Sequence, residues 1–87
     1  MSLPISVFII TKNEEKNLPR LLASLNRFDE IIVVDSGSTD NTINIAQEFG
    51  AIVYEHDWLG YSKQKAYAMS LCSHDWVINL DADEEIP

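Results

Sequence analysis

Asp81 and Asp83 stand directly after the apolar run Trp76-Val77-Ile78-Asn79-Leu80. Carboxylates at i and i+2, where a buried strand emerges into solvent, aim at one point and suit a hard divalent cation such as Mg2+ or Mn2+. An acidic chain produces this spacing by chance, and a solvated acidic turn would show it too. The position at the tip of an apolar strand is what favours a metal. A diphosphate approaching so acidic a cleft meets repulsion of about a few kcal/mol at an effective dielectric near 20. A cation bridging carboxylate and diphosphate offsets that repulsion and neutralises the diphosphate as it departs.

Two other segments have the composition of ligand loops. Asp35-Ser36-Gly37-Ser38-Thr39-Asp40-Asn41-Thr42 follows an apolar run and opens a helical pattern. Asp35 at a strand tip can accept hydrogen bonds from a base or ribose, Gly37 permits tight backbone geometry, and Ser36 lies beside them. Capping alone accounts for Ser38, Thr39 and Asp40, and Asp35 has a second reading as a solvated strand end. Thr11-Lys12-Asn13-Glu14-Glu15 follows the first apolar run. Its backbone, with the Thr11 and Glu14 side chains, could read the edge of a base; a generic loop would look similar.

Lys65 on a third helical segment could face the same cleft and meet a diphosphate or ribose, whereas Lys63 reads as a solvated helix position. Trp58 and Trp76 read as core residues, and His56 and His74 as poor metal ligands. No Gly-x-Gly-x-x-Gly follows the first apolar run and no Gly-Lys-Ser/Thr loop occurs. Both absences count against dinucleotide dehydrogenases and P-loop NTPases.

These residues need a scaffold, and 87 residues suffice for one small domain. The hydrophobic fraction of 46% argues against disorder, and the net charge of −8 disfavours a nucleic-acid partner. No apolar run approaches the roughly 20 residues that span a bilayer. The single cysteine, Cys72, can form no intrachain disulfide, which suits a reducing compartment, the cytoplasm.

Four apolar runs, at 5–10, 30–35, 51–55 and 75–80, alternate with helical patterns. Their continuity suggests parallel strands covered on both faces. Leu18, Leu21, Leu22 and Leu25 mark one face of a helix that starts near Asn17 or Leu18, because Pro19 is tolerated only in a first turn. A second helix is predicted from a cap at Ser38, Thr39 or Asp40 to Gly50, burying Ile45, Ala46 and Phe49. A third is predicted from about Gly60 to Leu71, burying Ala68, Leu71 and Cys72, with Tyr61, Lys65 and Ala68 along one side. The predicted fold is an α/β three-layer sandwich with a parallel, Rossmann-like sheet in the strand order 3-2-1-4. Ligands of such sheets bind at the carboxyl ends where the winding reverses, here between the first and fourth strands.

Taken in order along nearly the whole chain, these segments resemble the amino-terminal half of a family-2 glycosyltransferase with the GT-A fold. The matching stretches are Ile5-Ser6-Val7 through Thr11-Lys12-Asn13-Glu14-Glu15, Ile32-Val33-Val34-Asp35-Ser36-Gly37-Ser38-Thr39-Asp40-Asn41-Thr42, Trp58-Leu59-Gly60-Tyr61 with Gln64-Lys65, and Trp76-Val77-Ile78-Asn79-Leu80-Asp81-Ala82-Asp83-Glu84. The second and last are similar to lipopolysaccharide-core glucosyltransferases, which points to cell-envelope polysaccharide biosynthesis. The resemblance implies a nucleotide-diphosphate-sugar donor, typically a UDP-sugar. Thr11, Asn13 and Glu14 would line the base pocket, with Ser36 beside them, and Asp35 would contact the base. Lys65 would sit near ribose or diphosphate, and Asp81 and Asp83 at the sugar-diphosphate and metal, with Asp83 the direct ligand. Relatives of this pattern often carry asparagine after Gln-Lys, where Ala66 stands here.

The family's inverting mechanism has a carboxylate base deprotonate an acceptor hydroxyl, which displaces the nucleoside diphosphate in one step. That base and the site for a saccharide or lipid-linked acceptor are expected beyond Pro87; Glu84 and Glu85 read as surface carboxylates. Residues 1–87 are therefore read as one partial donor-binding domain without its acceptor half, of little activity alone, placed in the cytoplasm or at the cytoplasmic membrane face. An exposed sheet edge at the fourth strand should favour self-association. Two other readings share the fold: a non-catalytic nucleotide-binding or interaction module, and a nucleotidyltransferase, although the first loop lacks the glycine a nucleotidyltransferase normally shows.

Overall fold

The computed structural model describes residues 3–83. Seven elements alternate: β1 (Leu3–Thr11), α1 (Leu18–Ala23), β2 (Phe28–Asp35), α2 (Thr42–Glu48), β3 (Ile52–Glu55), α3 (Tyr61–Ser70) and β4 (Trp76–Leu80). The strands form one parallel sheet in the order β3-β2-β1-β4, as the sequence predicts. Each crossover carries a helix, and these helices are too short to persist by propensity alone. Packing on the sheet is what holds them.

Period-two alternation divides the core into two layers. Val7, Ile9 and Val33 point to one face, where Leu18, Leu21, Leu22 and Leu25 of the α1 segment and Ala46 of α2 cover them. Phe8, Ile32 and Val34 point to the other, where Ala68 of α3 packs with Tyr67 and Leu71 beside it. The central strands are thus covered on both sides. The edge strands are thinner: Ile52 on β3 is 46% exposed, and Trp76, which opens β4, is 75% exposed.

Three expectations need correction. Trp76 and Trp58 are surface residues rather than core, because one starts an edge strand and the other lies in the irregular segment before α3. Helix α2 begins at Thr42 with Asn41 as its cap, later than Ser38, Thr39 or Asp40. Phe49, at its carboxyl cap, is exposed. By contrast, α1 starts at Leu18 and α3 runs close to its predicted bounds, although Leu71 and Cys72 are only half-buried.

At the amino ends of the strands, Glu30 ties three elements together. Its carboxylate accepts the Ser6 hydroxyl at 2.8 Å and both the N–H (2.7 Å) and hydroxyl (2.5 Å) of Ser73. Next to it, the His74 ring meets Asp29 at 2.7 Å. Burial pushes the Glu30 carboxyl up, but the Ser73 and Ser6 hydrogen bonds and the charge of His74 outweigh it and leave the group below its ordinary range. This cluster lies at the opposite end of the sheet from the candidate site. Among the described residues, no helix is long and apolar enough to cross a membrane.

Candidate nucleotide-sugar site

At the carboxyl ends of β1, β2 and β4 a cleft of about 820 Å3 opens. Thr11, Glu14, Ser36, Lys65, Asp81 and Asp83, all singled out from the sequence, line it together. They come from the tip of β1, the three segments that follow β1, β2 and β4, and helix α3, and only the reversal of winding between β1 and β4 brings them into one crevice. Asn13 and Asp35 do not line it. They build its walls instead.

Asp35 is fully buried at the tip of β2. One carboxylate oxygen accepts the Thr11 hydroxyl at 2.7 Å and the Ser38 hydroxyl at 2.5 Å. The other accepts the N–H groups of Gly37 at 3.0 Å and Ser38 at 2.7 Å. A carboxylate offers about four acceptor sites, and all are taken. The side chain is neither a solvated strand end nor free to receive a base without giving up one of these bonds. Gly37 adopts φ +94°, which keeps the turn tight enough for both N–H groups to reach one oxygen.

The two loops flanking this carboxylate are laced to each other. Asn13 N–H donates to Ser38 Oγ (2.7 Å), Glu14 N–H to Thr42 Oγ1 (2.8 Å) and Glu15 N–H to Asp40 Oδ2 (3.3 Å). In return, Thr39 N–H donates to Asn13 Oδ1 at 2.8 Å and Asn41 N–H to Glu15 at 3.4 Å. Asn13 has φ +55°, a left-handed conformation that asparagine tolerates. Asp40 also accepts the N–H and hydroxyl of Thr42, and those bonds hold its carboxyl below the usual range. These polar side chains thus serve the neighbouring loop as much as their own helix, which is why α2 starts late. The Lys12 ammonium donates to the Ser36 carbonyl at 3.2 Å, closing the same corner.

Asp81 and Asp83 are exposed on either side of buried Ala82, the arrangement expected where a strand leaves the sheet. Among the described residues, no group of three or more His, Cys, Asp or Glu side chains could hold a metal. Two exposed carboxylates can hold a cation that keeps waters and takes further oxygens from a ligand's phosphates, as Mg2+ does. Lys65, half-buried on α3, brings a positive charge to the cleft. Glu84 and Glu85 lie outside the described residues.

The aromatic wall of the cleft was not legible in the sequence. Trp58 and Tyr61 line it, their rings 4.9 Å apart and nearly perpendicular at 88°. The available signal was Trp58-Leu59-Gly60-Tyr61 itself, apolar residues around a helix-starting glycine, more than a buried core would place in an irregular segment.

Comparison with known proteins agrees with this geometry. Residues 6–87 match the family model for glycosyl transferase family 2. An uncharacterized glycosyltransferase of Rickettsia conorii is 57% identical over 83 residues, covering 94% of this chain and 29% of its own length. Lipopolysaccharide core biosynthesis glycosyltransferase LpsC of Rhizobium meliloti is 44% identical over 90 residues, covering 97% of this chain and 33% of its own. Among solved structures, glucosyl-3-phosphoglycerate synthase from Mycobacterium tuberculosis in complex with Mn2+, UDP and glucosyl-3-phosphoglycerate superposes with a TM-score of 0.80 at 28% identity, over 93% of this chain and 35% of that one. The same enzyme with UDP alone gives 0.82 at 30% identity, over 95% of this chain and 35% of that one. The chain spans about three tenths of the length of these curated relatives, 29% in the Rickettsia conorii case. The parallel GT-A-type sheet and the family match, which takes in the cleft's whole lining, lead to one conclusion: this chain belongs to glycosyl transferase family 2.

Proposed function

We propose that this chain is the donor-binding portion of an inverting glycosyltransferase that takes a UDP-sugar and transfers the sugar to a hydroxyl of a saccharide or lipid-linked acceptor. The observation that carries this reading is the convergence of Thr11, Glu14, Ser36, Lys65, Asp81 and Asp83 on one cleft at the switch point of the sheet. UDP with Mn2+ in the superposable mycobacterial enzyme supports the donor class. The similarity to LpsC supports an envelope-polysaccharide acceptor.

In this reading the interlaced loops present Thr11, Glu14 and Ser36 to the base, with Asn13 and Asp35 holding them in place. Lys65 meets the ribose or diphosphate. Asp83, with Asp81, holds Mg2+ or Mn2+, which would neutralise the diphosphate as the sugar leaves. In a chain of net charge −8 these residues otherwise repel the donor. The general base and the acceptor site are proposed to lie in the part of the relatives' length that this match does not cover, so residues 1–87 by themselves are expected to turn over little donor. The proposed place of action is the cytoplasm or its membrane face.

Calorimetric titration with UDP and UDP-sugars, with and without Mn2+, tests the reading. Binding that strengthens with Mn2+ supports it. No heat at high UDP with the metal present would leave a non-catalytic α/β module as the better description.

A further inference from the structure

Gln64 is fully buried although its side chain is polar, and it stands on α3 one turn after Tyr61. Its amide reaches back over the segment between β3 and α3. Oε1 accepts the Leu59 N–H at 3.2 Å, and Nε2 donates to the His56 carbonyl at 3.4 Å. One side chain thus satisfies a backbone donor and a backbone acceptor on both sides of Trp58. That segment has no helix or strand of its own. At its ends His56 N–H donates to the Asp35 carbonyl and Gln64 N–H to the Gly60 carbonyl, both at 2.9 Å, and the Gln64 amide spans the stretch between them. It ends at Gly60, whose φ of +92° sets the turn into the helix. Trp58, which it carries, and Tyr61, which follows it at the start of α3, form the aromatic wall of the cleft.

We infer that Gln64 is a positioning residue, an internal clamp that holds the 56–60 segment so that Trp58 and Tyr61 stand as a preformed wall of the donor cleft. The inference deepens the donor-binding reading and rests on it for the identity of the ligand, although not for the clamp itself. The physical case is preorganisation. Ordering a loose segment at the moment of binding costs conformational entropy, so a clamp that orders it beforehand preserves affinity. An apolar residue at position 64 would fill the same volume but leave the Leu59 N–H and the His56 carbonyl to other partners. A glutamine needed only for packing would gain nothing from its amide.

The test uses the full 87-residue chain in a Trp76→Phe background, which leaves Trp58 as the sole tryptophan and alters an exposed residue far from the cleft. Gln64→Met keeps length and bulk but removes both amide bonds. Gly60→Ala strains the same segment from its other end without touching the core, since a Cβ there meets open space but φ remains unfavourable. Acrylamide quenching of Trp58 is expected to rise in both variants, with red-shifted emission, while circular dichroism shows the fold retained. UDP affinity with Mn2+ is expected to fall by roughly tenfold, about 1.4 kcal/mol. Folded variants with Trp58 quenching unchanged from the parent would overturn the clamp. Loosened Trp58 with unchanged UDP affinity would overturn its role in the cleft. If the parent itself binds no UDP, the donor reading fails, and the quenching comparison still decides whether Gln64 holds the segment. Should Gln64→Met fail to fold, Gln64→Asn, whose amide is one methylene too short to keep both bonds, decides by the same two readings.

Discussion

The Thr11 hydroxyl donates to the buried Asp35 carboxylate at 2.7 Å, joining the tips of β1 and β2 where Thr11 and Asp35 already face each other in the strand register. Neither side chain is exposed: Thr11 is 1% and Asp35 0% accessible. The bond is therefore made in a low-dielectric setting, where leaving its partners unpaired is expensive.

Asp35→Ala is expected to destabilise the fold by about 3 kcal/mol, because two N–H groups and two hydroxyls lose their acceptor together. Thr11→Val removes one of those bonds and should cost about 1 kcal/mol. Thermal or urea unfolding of the single and double variants checks this, and a strictly additive double variant would contradict the coupling.

Asp83→Ala is expected to leave the unfolding temperature within about 3 °C of the parent, since an exposed side chain is removed. Its effect should appear in binding: UDP affinity with Mn2+ falls roughly tenfold or more, and the metal dependence disappears. Titration with and without Mn2+ separates the two. A variant that keeps the full metal enhancement would remove Asp83 from the metal site.

Glu30 sets an acid limit on stability. Its folded-state pKa is lowered, so its contribution is fully present above its ordinary value of 4.5 and is lost as pH falls through the lower folded value. Glu30→Gln should reduce stability by about 1 kcal/mol near neutral pH, with the curves converging at low pH. Unfolding followed from pH 7 to pH 3 gives the comparison. Parallel curves would mean that the carboxylate does not hold Ser6 and Ser73 in solution.

Trp76 and the outer edge that β4 presents among the described residues are expected to drive self-association of the 87-residue chain. Sedimentation over a wide concentration range should show a dimer or larger species, and Trp76→Lys should shift it toward monomer. A monomer at high concentration in the parent would refute this.

The strands and the starts of α1 and α3 were legible because each depends on short-range pattern. The right-handed crossovers between them gave the strand order and the end of the sheet where the six lining residues gather. Apolar continuity in 5–10 and 30–35 marks central strands, and Pro19 fixes the start of α1. Burial at the margins was not legible. Trp58, Trp76 and Phe49 have core composition, yet which face a helix covers is settled only when the layers assemble. The hydrogen bonds of Asp35 were hidden for a related reason. One of its donors, Thr11, stands at the tip of β1, 24 residues away, and no local pattern reports that pairing.

The reciprocal bonds between residues 13–15 and 38–42 make those two stretches a single mechanical part. Anything grafted onto one half arrives without the counterpart that gives it shape. If the proposed base pocket is to be redesigned, both stretches have to be transplanted at once, with Asp35 as the hinge pin between them.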